Sequence, residues 1–242
     1  MSKIETLAET GSTNADLIAR LRNGEAIAEG HWLLADRQSA GRGRQGREWS
    51  SVLGNFMGST VVRLTGREPA PATLALVAGL AAFETVFTRM LLPAAIELKW
   101  PNDLLLGGGK IAGILLEREG DAVVVGIGVN LAKAPMLAGA KTVSLGQFGP
   151  APDRDAFAID LARNFAEEVE RWRNFGLDPV LARWCAAAHP HGTPLNVSNG
   201  GTGRLEGAFA GLAPDGGLKL QLGDGRIVVV HAGDVSLGGG VV

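Results

Sequence analysis

The feature that most constrains this chain is a change of texture at His189. Before it, apolar residues recur at helical spacing over long stretches. Phe157, Leu161, Phe165, Val169 and Trp172 stand at steps of four and three residues, the period of one buried helix face. After it, the chain from Thr193 onward is short apolar runs broken by Asn199-Gly200-Gly201, Pro214-Asp215-Gly216-Gly217 and Asp224-Gly225. That pattern predicts about five short strands in a compact SH3-like β-barrel. Two units are expected, residues 1–188 and 189–242, and the whole reads as α+β: a mixed β-sheet with packed helices, then a small β-domain.

Within the first unit the spacing predicts a helix over Asn14–Leu21 with Thr13 as its N-cap and Asp16 in its first turn. Ala72–Leu92 is Ala/Leu-rich and free of internal proline, and predicts a buried helix that Pro93 ends. Further helices are expected over Asp155–Arg173 and Pro179–Ala188. Strands are predicted at His31–Ala35, Asn55–Leu64, Ala95–Trp100, Lys110–Glu117 and Ala122–Asn130. The three glycines Gly107–Gly109 predict a hairpin-like turn joining the third of these strands to the fourth.

Composition sets outer limits. With 242 residues and 46% hydrophobic content, the chain can bury a substantial core. A net charge of −2 supplies no general attraction to nucleic acid. Cys185 is the sole cysteine, so no intrachain disulfide is available, and a reducing compartment fits. The N-terminus has no apolar segment of the secretory kind, and Leu74–Phe83, the longest apolar stretch, is short for a bilayer. A soluble cytoplasmic protein is expected, with no membrane and no nucleic-acid partner; homodimerisation through a sheet edge stays open.

Chemistry concentrates in Gly41-Arg42-Gly43-Arg44-Gln45-Gly46-Arg47. The string satisfies G-x-G-x-x-G, yet no helical period follows it, as a dinucleotide fold requires. It has half of a P-loop, but Arg47 and Glu48 stand where Lys-Ser/Thr is needed. It is too short for an RG-rich nucleic-acid segment. What remains is an anion site: guanidinium forks donate in pairs and stay charged, and glycines let the backbone close on a ligand. An Arg-rich surface loop with no such role is the alternative for this segment in isolation.

Three other segments give it context. Lys99-Trp100-Pro101-Asn102-Asp103 ends a predicted strand with two polar side chains, where an ordinary turn would also serve. Lys110 opens an apolar strand in which Gly113 suggests a close approach to the backbone. Gly126-Ile127-Gly128-Val129-Asn130 ends another strand with bare backbone that could floor a pocket, or merely pack tightly. His189-Pro190-His191 lacks the further ligands of a metal site and reads as an interdomain loop.

In this order, GRGRQGREW, KWPNDLLL, KIAGILLE and GIGVNL resemble the catalytic domain of biotin–protein ligases, over residues 10–131. Ser12-Thr13-Asn14 and Gln38 match the family's first biotin-contacting segments. The resemblance implies a biotin/lipoate-ligase-like fold and an enzyme that makes biotinyl-5′-AMP from biotin and MgATP. It then biotinylates a lysine of a biotin carboxyl carrier protein or domain. By the same resemblance Ser12, Thr13, Asn14, Gln38, Gly41, Arg42, Gly43, Arg44, Lys110 and Gly113 would bind biotin. Arg42, Arg44, Arg47, Trp49, Asn102, Lys110 and Asn130 would hold ATP or the adenylate. Arg42, Arg44 and Lys110 would serve catalysis, and Asp103 would orient the incoming lysine. Mg²⁺ would be held mainly by the ATP phosphates, with no protein cluster. Cys185 would be a buried bystander.

The chain departs from the pattern in three places. Gln45 stands where many members carry another arginine. Phe148 is the one aromatic in Ala132–Gly149, so no residue that packs on adenine is evident. Ser12 follows only eleven residues, too few for the winged-helix repressor domain of some members, so a ligase alone is expected. The rivals are a lipoate- or octanoate-transferring enzyme of the same fold and a biotin-binding regulator without catalysis.

Overall fold

The computed structural model describes residues 3–137, 139–198 and 203–238. The Asn199-Gly200-Gly201 turn lies outside the described residues. Seven strands form one mixed sheet: β1 (Ile4–Thr10), β2 (Trp32–Gln38), β3 (Phe56–Arg63), β4 (Ile96–Lys99), β5 (Asp103–Leu106), β6 (Gly109–Glu119) and β7 (Ala122–Val129), in the spatial order β1-β2-β3-β7-β6-β5-β4. Strands β1 and β2 run parallel, and every other neighbour is antiparallel. Four helices accompany it: α1 (Thr13–Arg22), α2 (Leu74–Arg89), α3 (Arg154–Phe175) and α4 (Asp178–Ala187).

The expected α+β architecture is present, with two additions. Strand β1 is a polar edge strand whose side chains are mostly half-buried or exposed, so it carries no apolar alternation. Strand β5 is only Asp103–Leu106, inside the stretch where the sequence pattern predicts a turn. The glycine hairpin therefore joins β5 to β6, and the β4–β5 turn is Trp100-Pro101-Asn102, with a cis Trp100–Pro101 bond.

Local chemistry sets the helix ends. Ser12, not Thr13, caps α1: its side chain accepts from the Ala15 N–H at 3.5 Å. The one-residue shift places Thr13 and Asn14 in the first turn, where both are buried. Asp153 caps α3 by accepting from the Asp155 and Ala156 N–H groups. The five apolar residues expected on the α3 core face are all buried. Helix α2 ends at Arg89, three residues before the expected Leu92, because Met90 turns extended (ψ 127°). With a preceding 3₁₀ turn, Pro71–Arg89 is long and apolar enough to cross a bilayer, more than the shorter run Leu74–Phe83 suggested. It packs instead on α3, α4 and the sheet, with Leu74, Val77, Ala78, Ala81 and Val86 fully buried.

Strand period assigns the two faces of the main sheet. Ala112, Ile114, Val125, Ile127 and Val129 point into the large core beneath α2 and α3. The register pairs Gly113 with Gly128 and Met57, Leu115 with Gly126 and Ser59, and Glu117 with Val124 and Val61. These rows form the opposite face. Helix α1 covers only part of it, through Leu17, Ile18, Val61 and Val124. Small residues at the other positions leave the rest uncovered.

A second sheet, β8 (Pro194–Ser198), β9 (Arg204–Leu212), β10 (Leu218–Gln221), β11 (Ile227–Val230) and β12 (Asp234–Leu237), is antiparallel in the order β11-β10-β9-β8-β12. These are the five short strands expected after His189. Trp184 of α4 meets Phe209 of β9 with ring centroids 6.5 Å apart, so the apolar core is continuous between the two sheets.

Candidate active site

The uncovered face of the main sheet forms the floor of a cavity of about 580 Å³, within the usual range for a small-molecule site. Every residue singled out above for biotin, nucleotide or catalysis lines it except Gly41. Gly41 supports the wall from behind: a Cβ there would stand 2.6 Å from the Trp49 carbonyl oxygen.

At one end the wall is neutral and polar. The Thr13 N–H donates to Gln38 Oε1 at 2.8 Å, and Thr13 Oγ1 lies 2.6 Å from Ser59 Oγ. Ser59 donates to Asn14 Oδ1 at 2.6 Å. Ser59 was not anticipated. Its signal is its place in β3, two residues from Met57 on the same strand face, and register alone reveals that. Ser12 is committed to capping α1.

The floor is made of glycine. A Cβ at Gly126 would stand 2.3 Å from Asn14 Oδ1, and one at Gly128 would stand 2.3 Å from Trp49 Cε2. At Gly113 it would meet Trp49 Cζ3 at 3.0 Å. The bare backbone expected at these three positions thus seats the Trp49 indole and the Asn14 amide. Gly113 also lines the open cavity, and Lys110 lies beside Trp49 over it.

The other end is cationic. Asp103 Oδ2 is 3.0 Å from Lys99 Nζ, and Asp103 Oδ1 is 2.6 Å from Lys110 Nζ. Burial pushes the Asp103 carboxyl up, but the Lys110 and Lys99 charges outweigh it and hold the group below its ordinary value. Asp103 Oδ1 is buried against the Lys110 ammonium, so the carboxylate is enclosed by the two lysines. Lys110 Nζ also lies 5.8 Å from the Trp49 ring centroid. Asn102 donates to the Ile114 carbonyl at 2.8 Å and accepts from Arg44. Asn130 is buried with its amide on Asn55 and the Val143 carbonyl, so it shapes the wall.

The glycine–arginine segment folds on itself. The Arg42 and Glu48 backbones pair in an isolated antiparallel bridge, Gly43 N–H donates to the Arg47 carbonyl at 2.7 Å, and Gln45 sits in the left-handed region at φ 57°. Gln45 faces Arg47 rather than the cavity: its Oε1 accepts from the Arg47 guanidinium at 3.2 Å. Arg44 reaches the Gly233 carbonyl at 3.4 Å, Arg47 pairs with Asp234, and Lys99 donates to the Val235 carbonyl at 3.0 Å. The second sheet therefore contributes Asp234 and Val235 to the cavity wall, which no local pattern signalled.

Among the described residues no group of three or more His, Cys, Asp or Glu side chains could hold a metal. His189 Nδ1 lies 3.2 Å from Glu97 while its Nε2 is buried with no hydrogen-bond partner among the described residues. Cys185 is half-buried rather than buried; desolvation raises its thiol pKa. The site thus joins hydrogen-bonding groups suited to a neutral polar head with cations suited to carboxylate and phosphate.

Comparison with known proteins agrees with that chemistry. Residues 10–131 match the Biotin/lipoate A/B protein ligase family, and residues 196–238 match the Biotin protein ligase C terminal domain. The biotin–[acetyl-CoA-carboxylase] ligase of Paracoccus denitrificans is 40% identical over 96% of this chain and 100% of its own length. That of Mycobacterium tuberculosis is 40% identical over 96% and 88%. A biotin protein ligase from Aquifex aeolicus, solved in complex with biotin and ATP, superposes with a TM-score of 0.86 over 98% of this chain and 100% of that one. At 24% identity that likeness speaks for the fold.

Proposed function

Since the chain belongs to the Biotin/lipoate A/B protein ligase family, we propose that it is a biotin–protein ligase that activates biotin with MgATP and attaches it to a lysine of a biotin carboxyl carrier domain. One observation carries the reading. The cavity is polar but uncharged around Thr13, Asn14, Gln38 and Ser59, and cationic around Arg42, Arg44, Lys99 and Lys110. A cyclic urea with a carboxylate tail has that polarity.

In the first step a biotin carboxylate oxygen bonds to the α-phosphorus of ATP as the bond to the β-phosphate bridging oxygen breaks. Biotinyl-5′-AMP forms, and pyrophosphate leaves with both electrons of the broken bond. Two anions must approach each other, so Lys110 and the arginines lower the repulsion and stabilise charge in the transition state. Mg²⁺ bound to the ATP phosphates would neutralise part of their charge beside Lys110 and the arginines. In the second step a neutral lysine amine attacks the acyl carbon and AMP departs with the anhydride oxygen. The proton lost from nitrogen passes to solvent or AMP phosphate.

Asp103 suits this second step as an orienting anion. Lys99 and Lys110 hold it charged and weakly basic beside the cavity. The Gly41–Arg47 segment would close over the adenylate and keep water from a hydrolysable mixed anhydride. Residues 1–188 would form the catalytic unit and 189–242 a second domain, since α4 ends at Ala187 and the next strand starts at Pro194. The free thiol of Cys185 fits a cytoplasmic setting.

The test is biotin-dependent exchange of pyrophosphate into ATP, followed by label transfer to a biotin-accepting domain. Both should require biotin. Exchange driven by lipoate or octanoate and not by biotin would overturn the reading.

A further inference from the structure

Glu117 lies outside the cavity wall, two positions beyond Leu115 on the same face of β6, and nothing above gives it a role. Its carboxylate accepts from Asn14 Nδ2 at 2.8 Å. Asn14 Oδ1 accepts from Ser59 Oγ at 2.6 Å, and Ser59 Oγ is 2.6 Å from Thr13 Oγ1. Asn14, Ser59 and Thr13 are all buried, so none can exchange these partners for water at low cost.

The direction of that chain follows from proton counting. An ionised carboxylate only accepts. An Asn14 amide turned the other way would set its oxygen against the Glu117 oxygen, so Glu117 holds the amide with its nitrogen outward and Oδ1 toward Ser59. Ser59 then uses its single proton on Asn14 and must accept from Thr13. Thr13 in turn spends its proton on Ser59, which leaves the 3.2 Å contact between Thr13 Oγ1 and Gln38 Oε1 without that proton. Gln38 Oε1 is satisfied by the Thr13 N–H instead.

A guest at this end therefore meets lone pairs on Thr13 and Ser59 and spare N–H groups on Asn14 and Gln38. Those are the complements of adjacent N–H and C=O groups on one ring. A hydroxyl chain free to reverse would present no such fixed pattern. We propose that Glu117 is a positioning residue that fixes the direction of the Asn14–Ser59–Thr13 chain and so selects an acid whose head is a cyclic urea over acids with apolar tails. This rests on the ligase reading and adds to it a residue that does not touch the substrate.

Glu117→Met removes the acceptor, while Glu117→Gln can still turn an oxygen toward Asn14. In biotin-dependent pyrophosphate exchange, Glu117→Met should raise the KM for biotin about tenfold, with kcat and the KM for ATP within about twofold of the parent. Glu117→Gln should recover most of the loss. In an Asn14→Ala background, Glu117→Met should change the biotin KM no further, because the two act as one unit. An unchanged biotin KM, an equal fall in kcat, or additive effects in the double variant would overturn the proposal. Should Glu117→Met not fold, the smaller Glu117→Ala, which also removes the acceptor, supplies the same additivity test with Asn14→Ala. Absence of biotin-dependent exchange in the parent chain would instead overturn the ligase reading.

Discussion

The indole of Trp49 rests directly on the backbone of Gly128, in space that a Cβ at Gly128 would need: that atom would stand 2.3 Å from Trp49 Cε2. The ring is rigid and the strand backbone is held in register on both sides, so neither can yield cheaply. Gly128→Ala should displace Trp49 and raise the KM for biotin or ATP by about tenfold or more, with the fold retained by circular dichroism. Biotin should change tryptophan emission in the parent chain, and Trp49→Phe should abolish that change. Emission that is indifferent to biotin would mean Trp49 keeps its place when the cavity fills.

If Asp103 orients the acceptor lysine, its loss should separate the two half-reactions. Asp103→Asn keeps the shape and removes the charge between Lys99 and Lys110. Pyrophosphate exchange should stay within about threefold, while transfer to the acceptor lysine falls about tenfold or more in single-turnover measurements. Equal losses in both steps would make Asp103 a holder of Lys110 rather than a guide for the acceptor.

The second sheet restrains the arginine segment through Asp234. The Arg47–Asp234 pair is largely exposed on the arginine side, and such pairs contribute about 0–1 kcal/mol to stability. Asp234→Asn should therefore leave the thermal midpoint nearly unchanged. It should free Arg47 for phosphate and lower the KM for ATP by about two- to threefold. A KM that rises would show that Asp234 orders the loop productively.

His189 makes stability depend on pH between the two sheets. Burial pushes its imidazole below the ordinary value, and Glu97 only partly offsets this. The folded state therefore binds fewer protons there than the unfolded state, whose histidine titrates near about 6.5. Stability is retained above that pH and declines as the pH falls below it. Urea unfolding at about pH 7.5 and about pH 5.5, on either side of the unfolded pKa, should show a smaller difference for His189→Asn than for the parent. An equal difference would assign the acid sensitivity to other groups.

Much of the site was legible in the strings themselves. Arg42, Arg44, Lys110, Asp103 and the glycines Gly113, Gly126 and Gly128 announce anion chemistry and close backbone approach by residue type, and all of these line the cavity. Ser12 and Thr13 are both favoured caps, so residue type alone does not place the start of α1 to within one residue. Only the hydrogen bonds of Thr13 to Gln38 and Ser59 separate them. Strand β5 was missed because four residues between a proline turn and a glycine turn show too little period to register.

What the sequence determined by itself was therefore local: the helices, most strands, the five-strand texture after His189, and the chemistry available in each segment. Tertiary structure decided which faces meet. A strand's period of two says that Gly113, Leu115 and Glu117 share a side, but only pairing with β7 and β3 brings Gly126, Gly128 and Ser59 alongside them. Likewise, only the docking of the second sheet carries Asp234 to Arg47, 187 positions apart in the chain. Side-chain direction in a strand has physical meaning only against a partner, and contacts across such separations leave no periodic trace in the chain that makes them.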